Sequence, residues 1–253
     1  MGMNITVGRI ISMADIEAQL APNNLMSSHS LLYGFDPYTQ WGIFGTVKLD
    51  PMWTIQLGLS AGNDVTPWTA DPGREATGSV MIQWTSKDNK DGFYGGPNAF
   101  NNATYGYNNI QQYVGTWTHK FDEKWWTSTE AWYMYQDHAV DHPTYDVPYQ
   151  NGAFPVKGGQ YVAEWAILNY TMYRMGPGTF FTVRNEYFDD RDGNRTGYAS
   201  KYSEHSIGIT WWPNKLITVR PELRFEHSYN CKTYDNGGRY SQLTAQCDVV
   251  FHF

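Results

Sequence analysis

The stretch 217–227, "ITVRPELRFEH", alternates between two kinds of side chain. Ile217, Val219, Leu223 and Phe225 point to one side of an extended chain, and Arg220, Glu222, Arg224 and Glu226 to the other. Successive side chains of a β-strand leave on opposite faces, so this stretch is a strand with an apolar face and a charged face. The last ten residues, "TAQCDVVFHF" (244–253), repeat the pattern: Ala245, Cys247, Val249 and Phe251 alternate with mostly polar neighbours, up to a terminal Phe253. Trp53, Ile55, Leu57 and Leu59 do the same, as do Val80, Ile82 and Trp84. Period two runs from end to end, without capped stretches of helical period.

The connections sort by length. Short ones hold Asp50 and Pro51, Lys87 to Asp91, Asp122 to Lys124, Met175 to Gly178, and Pro213 to Lys215. Long ones cover roughly 13–39, 62–76, 98–108, 137–158, 190–200 and 229–239, and the two kinds take turns along the chain. This hairpin pattern predicts about twelve strands, near 3–12, 40–49, 53–61, 77–86, 91–97, 109–120, 124–136, 159–174, 178–190, 200–212, 215–228 and 240–253. Tight turns at one end and long loops at the other mark a bacterial outer-membrane barrel. The expectation is a single all-β domain over 1–253, a transmembrane antiparallel barrel with short periplasmic turns and long extracellular loops. An open edge in hydrocarbon would leave amides unsatisfied, so the last strand is expected to pair with the first. Phe253 then ends the closing strand at the periplasmic interface, where Trp53, Trp125, Trp126, Trp211 and Trp212 fit aromatic girdles. The competing architecture is a soluble β-sandwich, whose short strands do not usually sort their turns by length.

Composition agrees. Aromatic residues make up 17% of the 253 and charged residues also 17%, while mean hydropathy is -0.55. A barrel combines these, because its lumen and loops dilute the lipid face. No apolar run approaches the roughly 18 residues of a spanning helix. A net charge of -7 argues against nucleic acid as a partner. The opening 21 residues lack a basic segment followed by a sustained apolar stretch, so no signal peptide is expected there. Cys231, in a loop, and Cys247, in mid-strand, are not expected to pair.

Charges on the inner face are the candidate pore lining. An Arg facing lipid at the midplane costs ~2–4 kcal/mol, so Arg220, Glu222, Arg224 and Glu226 face the lumen. Arg184 and Glu186 repeat the device with one strand between the two rows, making a compensating ladder that guides solute or braces a polar interior. Lys48, Gln56, Gln83 and Glu130 share the same parity. Pro221 removes a ladder donor, so a bulge or local opening is expected beside it. "DDRDGNRTG" (189–197) is faintly like a calcium loop but lacks the closing carboxylate, and Asp137, His138, Asp141 and His142 have no fixed geometry in an extended loop. No metal or cofactor is expected. Ser206 and His205 are adjacent but face opposite sides, so they do not make a barrel lipase, and no triad signature is present; the chain is not read as an enzyme.

"RNEYFDDRDGNRTGY" (184–198) and "SEHSIGITWWPNKLITVRPELRFEHS" (203–228), with the final Phe, resemble the OmpL-like β-barrel porin family of Gram-negative bacteria. The shared motifs are Arg-x-Glu-Tyr-Phe, Asp-Gly-x-x-Thr-Gly, Trp-x-Pro and Arg-Pro-Glu-x-Arg. "DIEAQLAPNNLMSSHSLLYGFDPYTQWGI" (15–43) and "SAGND" (60–64) are similar to further family segments, with Asp15 where the family tends to have Gly. The resemblance is weakest at 92–160. It implies an outer-membrane pore, and longer relatives with additional leading strands. Passive diffusion of small hydrophilic solutes or ions is the expected function, with a plugged barrel serving as adhesin or structural protein as the alternative. The expected partners are outer-membrane lipid, those solutes, and the assembly machinery reading the terminal aromatic strand. Segment 13–39, the longest loop, is the candidate for folding inward.

Overall fold

The computed structural model describes residues 2–13, 15–68, 75–102, 110–137, 139, 154, 156 and 159–253. Twelve strands form one antiparallel sheet in chain order. They are β1 (Gly2–Ile11), β2 (Thr39–Lys48), β3 (Trp53–Asn63), β4 (Thr77–Thr85), β5 (Asp91–Ala99), β6 (Gln111–Lys120), β7 (Trp125–Gln136), β8 (Val162–Gly176), β9 (Thr179–Asp190), β10 (Ser200–Asn214), β11 (Ile217–Ser228) and β12 (Ser241–Phe251). Every predicted strand is present, with its ends shifted by a few residues at most. A single-turn helix the periodicity did not suggest, α1 (Leu31–Gly34), lies in the segment between β1 and β2, capped by the Ser30 hydroxyl, which accepts from the Tyr33 amide.

Local chemistry sets the hairpins. Asp50 Oδ1 accepts from the amides of Met52 and Trp53, and Asp122 Oδ1 from those of Lys124 and Trp125 at 2.7 and 2.8 Å. Such side chains replace missing backbone partners in a tight reversal. Gly178 supplies the left-handed residue (φ 66°) that the β8–β9 turn requires.

Alternation decides the two faces. Leu57, Leu59, Ile167, Leu223, Phe225, Leu243, Val249 and Phe251 are exposed on the outer face, whereas Arg220, Glu222 and Glu226 are buried on the inner one. Trp53 packs beside Trp84 (6.3 Å between ring centroids) and Trp125 beside Tyr173 (4.4 Å) near the short turns. Tyr113, Tyr135 and Tyr161 stack near the long loops, giving two aromatic belts. Two expected belt members belong inside. Trp126 packs against the interior cluster and edge-on to Phe180, and Phe180 meets Trp212 at 5.3 Å. Both follow an outward-facing Trp by one residue, and the pleat turns every second side chain inward.

The sheet is open, which corrects the expected pairing of last strand with first. Its edges are β1, which pairs with β2, and β12, which pairs with β11. Strand number, tilt and shear together fix a barrel's radius. Pro221 has the expected local effect: the β10–β11 register runs to Gly208↔Glu222 and resumes at Trp211↔Val219, so the ladder lapses across from the proline without slipping. Both cysteines are free.

Candidate pore constriction

The interior is filled by the segment between β1 and β2, and the predicted ladder residues are what hold it. Arg184 in β9 is fully buried. Its guanidinium donates to the Ser28 carbonyl (2.8 Å) and Ser28 Oγ (2.8 Å), and pairs with Glu17 (3.1 Å), Glu204 (2.8 Å) and Glu222 (3.3 Å). Glu222 accepts from Ser27 Oγ and the Ser28 amide, both at 2.9 Å, and from Ser28 Oγ. Arg224 donates to the His29 carbonyl and pairs with Glu226 at 2.7 Å. Arg220 donates to the Asn24 carbonyl at 2.6 Å and pairs with Asp248. Glu186 accepts from the amides of Leu31 and Leu32, and Glu130 in β7 from that of Ile16 at 2.7 Å.

These bonds answer a requirement of backbone chemistry. A loop inside a barrel leaves amides and carbonyls without ladder partners, each costly if unmet. Charged wall groups facing a loop of mostly uncharged residues meet them with charge-assisted bonds, about twice as strong as neutral ones. Apolar contacts complete the seat. Met26 and Leu32 are buried with Met134, Leu168 and Phe188, Phe35 stacks on Phe188 at 5.4 Å, and Trp132 Nε1 donates to the Leu32 carbonyl at 3.3 Å. Gly208 makes room for Met26, since a β-carbon there would lie 2.8 Å from its sulfur. Burial of each large apolar side chain contributes about 1.5–3 kcal/mol.

Alternation could not assign the loop partners. Glu17 and Ser28 lie where no period operates, but Glu204 and Asp248 have inner-face parity and were legible as further ladder members. The remaining candidates stand apart. Gln56 accepts from the Tyr94 hydroxyl at 3.1 Å, and Lys48 and Gln83 are exposed on the inner face.

A family model described as "Putative beta-barrel porin-2, OmpL-like" matches residues 1–253. The chain belongs to this porin family. No curated protein matches it in sequence. Among solved structures, the anion-selective porin of Comamonas acidovorans superposes with a TM-score of 0.62 at 12% identity, over 98% of this chain and 74% of that one. The outer-membrane channel DcaP of Acinetobacter baumannii gives 0.57 at 12% identity, over 98% and 70%. The loop L8 deletion mutant of OmpT from Vibrio cholerae gives 0.57 at 9% identity, over 98% and 75%. The porin thus shares their β-barrel fold and spans about three-quarters of their length. It is a passive diffusion channel of the bacterial outer membrane.

Within the porin's plug, acidic groups gather. Asp15 and Asp36 lie together beside Glu130, with Glu17 and His29 also facing Asp15. Burial, opposed by bonding to Asp36, pushes the Asp15 carboxyl up to about 6, and burial with the neighbouring Asp15 raises Asp36 well above its ordinary value. The 189–197 loop is occupied with itself: Asp190 accepts from the amides of Arg195 and Thr196 and from Thr196 Oγ1, and Asp192 from the Ala163 amide. Among the described residues no cluster of His, Cys, Asp or Glu has metal-holding geometry. Asp137 is described; His138, Asp141 and His142 lie outside the described residues. Ser206 is buried and donates to Glu204, while His205 is exposed on the opposite face, bonded to Asn185.

The porin's wall is chemically divided. Strands β1 to β6 carry only Arg9, Lys48, Asp91 and Lys120 as charged residues; the buried charges that hold the segment all come from β7 to β12. On the neutral side Thr46, Thr54, Gln56, Met81, Gln83 and Tyr94 line a cavity of about 330 Å³.

Proposed function

We propose that the segment between β1 and β2 is the constriction of this porin, and that small hydrophilic solutes cross between it and the uncharged inner face of β2 to β5. The supporting observation is where the buried charged anchors lie: Arg184, Glu186, Arg220, Glu222 and Arg224 bind the segment from β9 and β11, whereas on the other side Asn98 of β5 meets it through a neutral bond to Ser12 at its start, 2.8 Å. The ladder's main task is then to hold the constriction, and it sets charge preference through whatever charge the segment leaves uncovered. Diffusion down a gradient needs no further chemistry, since a solute exchanges its water for hydroxyls and amides along the wall. In hydrocarbon the outer amides of β1 and β12 need partners, each unmet group costing several kcal/mol, so in the membrane both edges must be covered.

The outward Leu243, Val249 and Phe251 of β12, followed by the fully exposed Phe253, give the assembly machinery an apolar terminal strand to read. The alternative, a sealed barrel acting as adhesin or structural protein, draws support from the same filled interior. Reconstitution into planar bilayers separates the two. Discrete conductance steps are expected from the folded porin, and their absence from protein that shows heat-dependent gel mobility would leave the sealed reading.

A further inference from the structure

We propose that the cavity lined by Thr46, Thr54, Gln56, Met81, Gln83 and Tyr94 is a subsite for a neutral polyhydroxylated solute of monosaccharide size. The inference rests on the channel reading above and names the solute class that the uncovered side of the lumen favours.

The lining supplies hydroxyl and amide groups that both donate and accept, from four adjacent strands. Tyr94 is fixed by its bond to Gln56 at 3.1 Å and its ring is half-buried, leaving an aromatic edge toward the cavity. A ring of carbon carrying hydroxyls at its edge matches that combination: C–H groups against the aromatic surface, hydroxyls to the amides and threonines.

Charge excludes the other solute classes. Removing water from an ion is costly unless a counter-charge replaces it. Among the strand residues around this cavity, Lys48 near the short turn is the one charged side chain of β2 to β4, and β5 adds Asp91, whose carboxylate bonds to His119; Asp15 of the inner segment lies within electrostatic reach of Tyr94 and disfavours anions there. The large complement of wall charges is on the other side and is occupied by the plug. A neutral polyol exchanges hydrogen bonds with water for hydrogen bonds with protein, at little net cost.

The cavity of about 330 Å³ has room for one hexose together with several waters of its hydration shell. Fully buried Met81 closes one end against the interior cluster that seats the plug, so longer solutes meet that cluster.

The test uses the folded porin with glucose and gluconate as probes. Glucose should reduce the ion current of reconstituted channels in a concentration-dependent way and show saturation transfer by NMR with the porin in detergent. Gluconate should do both at least tenfold more weakly. The Gln83→Ala and Tyr94→Phe variants, checked for folding by heat-dependent gel mobility, should each weaken the glucose block several-fold. Conductance steps with glucose and gluconate acting alike, or with block unchanged in both variants, would overturn the subsite and leave the channel. Absence of steps together with glucose-selective saturation transfer would overturn the channel and leave the subsite.

Discussion

Arg184 is the residue whose loss should open this porin. Its side chain has no exposed surface, and it is the shared cation of Glu17 from the plug and Glu204 and Glu222 from the wall. Replacement by methionine keeps an unbranched apolar stem but removes the charge and all five donors. The plug loses two bonds to Ser28 and the pairing of Glu17, and three carboxylates are left without their common partner. Removing one member of a buried pair costs ~3–5 kcal/mol. At about 1.4 kcal/mol per decade, that shifts the docked-to-released equilibrium of the plug by roughly two to four orders of magnitude. Single-channel recording of Arg184→Met should therefore show larger or more frequently fluctuating steps than wild type. Limited proteolysis should cut between residues 12 and 38. Arg184→Lys, which keeps the charge without the planar fork, should fall between them. A folded Arg184→Met porin with wild-type conductance and an uncut plug would refute the idea that this cluster holds the constriction.

Three further outcomes follow from the same geometry. Because the docked plug raises the Asp15 carboxyl from 3.8 to about 6, with Asp36 shifted in the same direction, docking binds protons that the released plug does not. Docking is then strongest below about pH 4 and weakens by on the order of 3 kcal/mol as pH rises to 6, so conductance should increase over that window and Asp15→Asn should flatten the increase. Arg220→Gln combined with Arg224→Gln strips the counter-charges from Asp248 and Glu226; reversal potentials in a salt gradient should move toward cation preference as conductance rises, and unchanged values in both would exclude these arginines from selectivity and anchorage. Leu57→Arg on the outer face should lower stability by ~2–4 kcal/mol in urea unfolding from vesicles, whereas Asn4→Arg on the inner face of β1 should leave the midpoint nearly unchanged; equal effects would contradict the assignment of faces.

What the residues determined unaided is whatever repeats every second position. Strand count, hairpin order, the outward Leu57, Leu223 and Phe251, and the inward Arg184, Glu186, Arg220, Glu222, Arg224 and Glu226 all follow from the pleat, a local property of the backbone. Trp126 and Trp212 were misassigned only where the eye followed residue type in place of parity. The tertiary structure alone decided what those inward charges meet. Glu17, Ser28 and the amides of Leu31 and Leu32 come from a segment with no period, and their pairing with a wall more than a hundred and fifty residues away is set by three-dimensional proximity. The open edge between β1 and β12 is likewise a property of the whole sheet, which no single strand encodes.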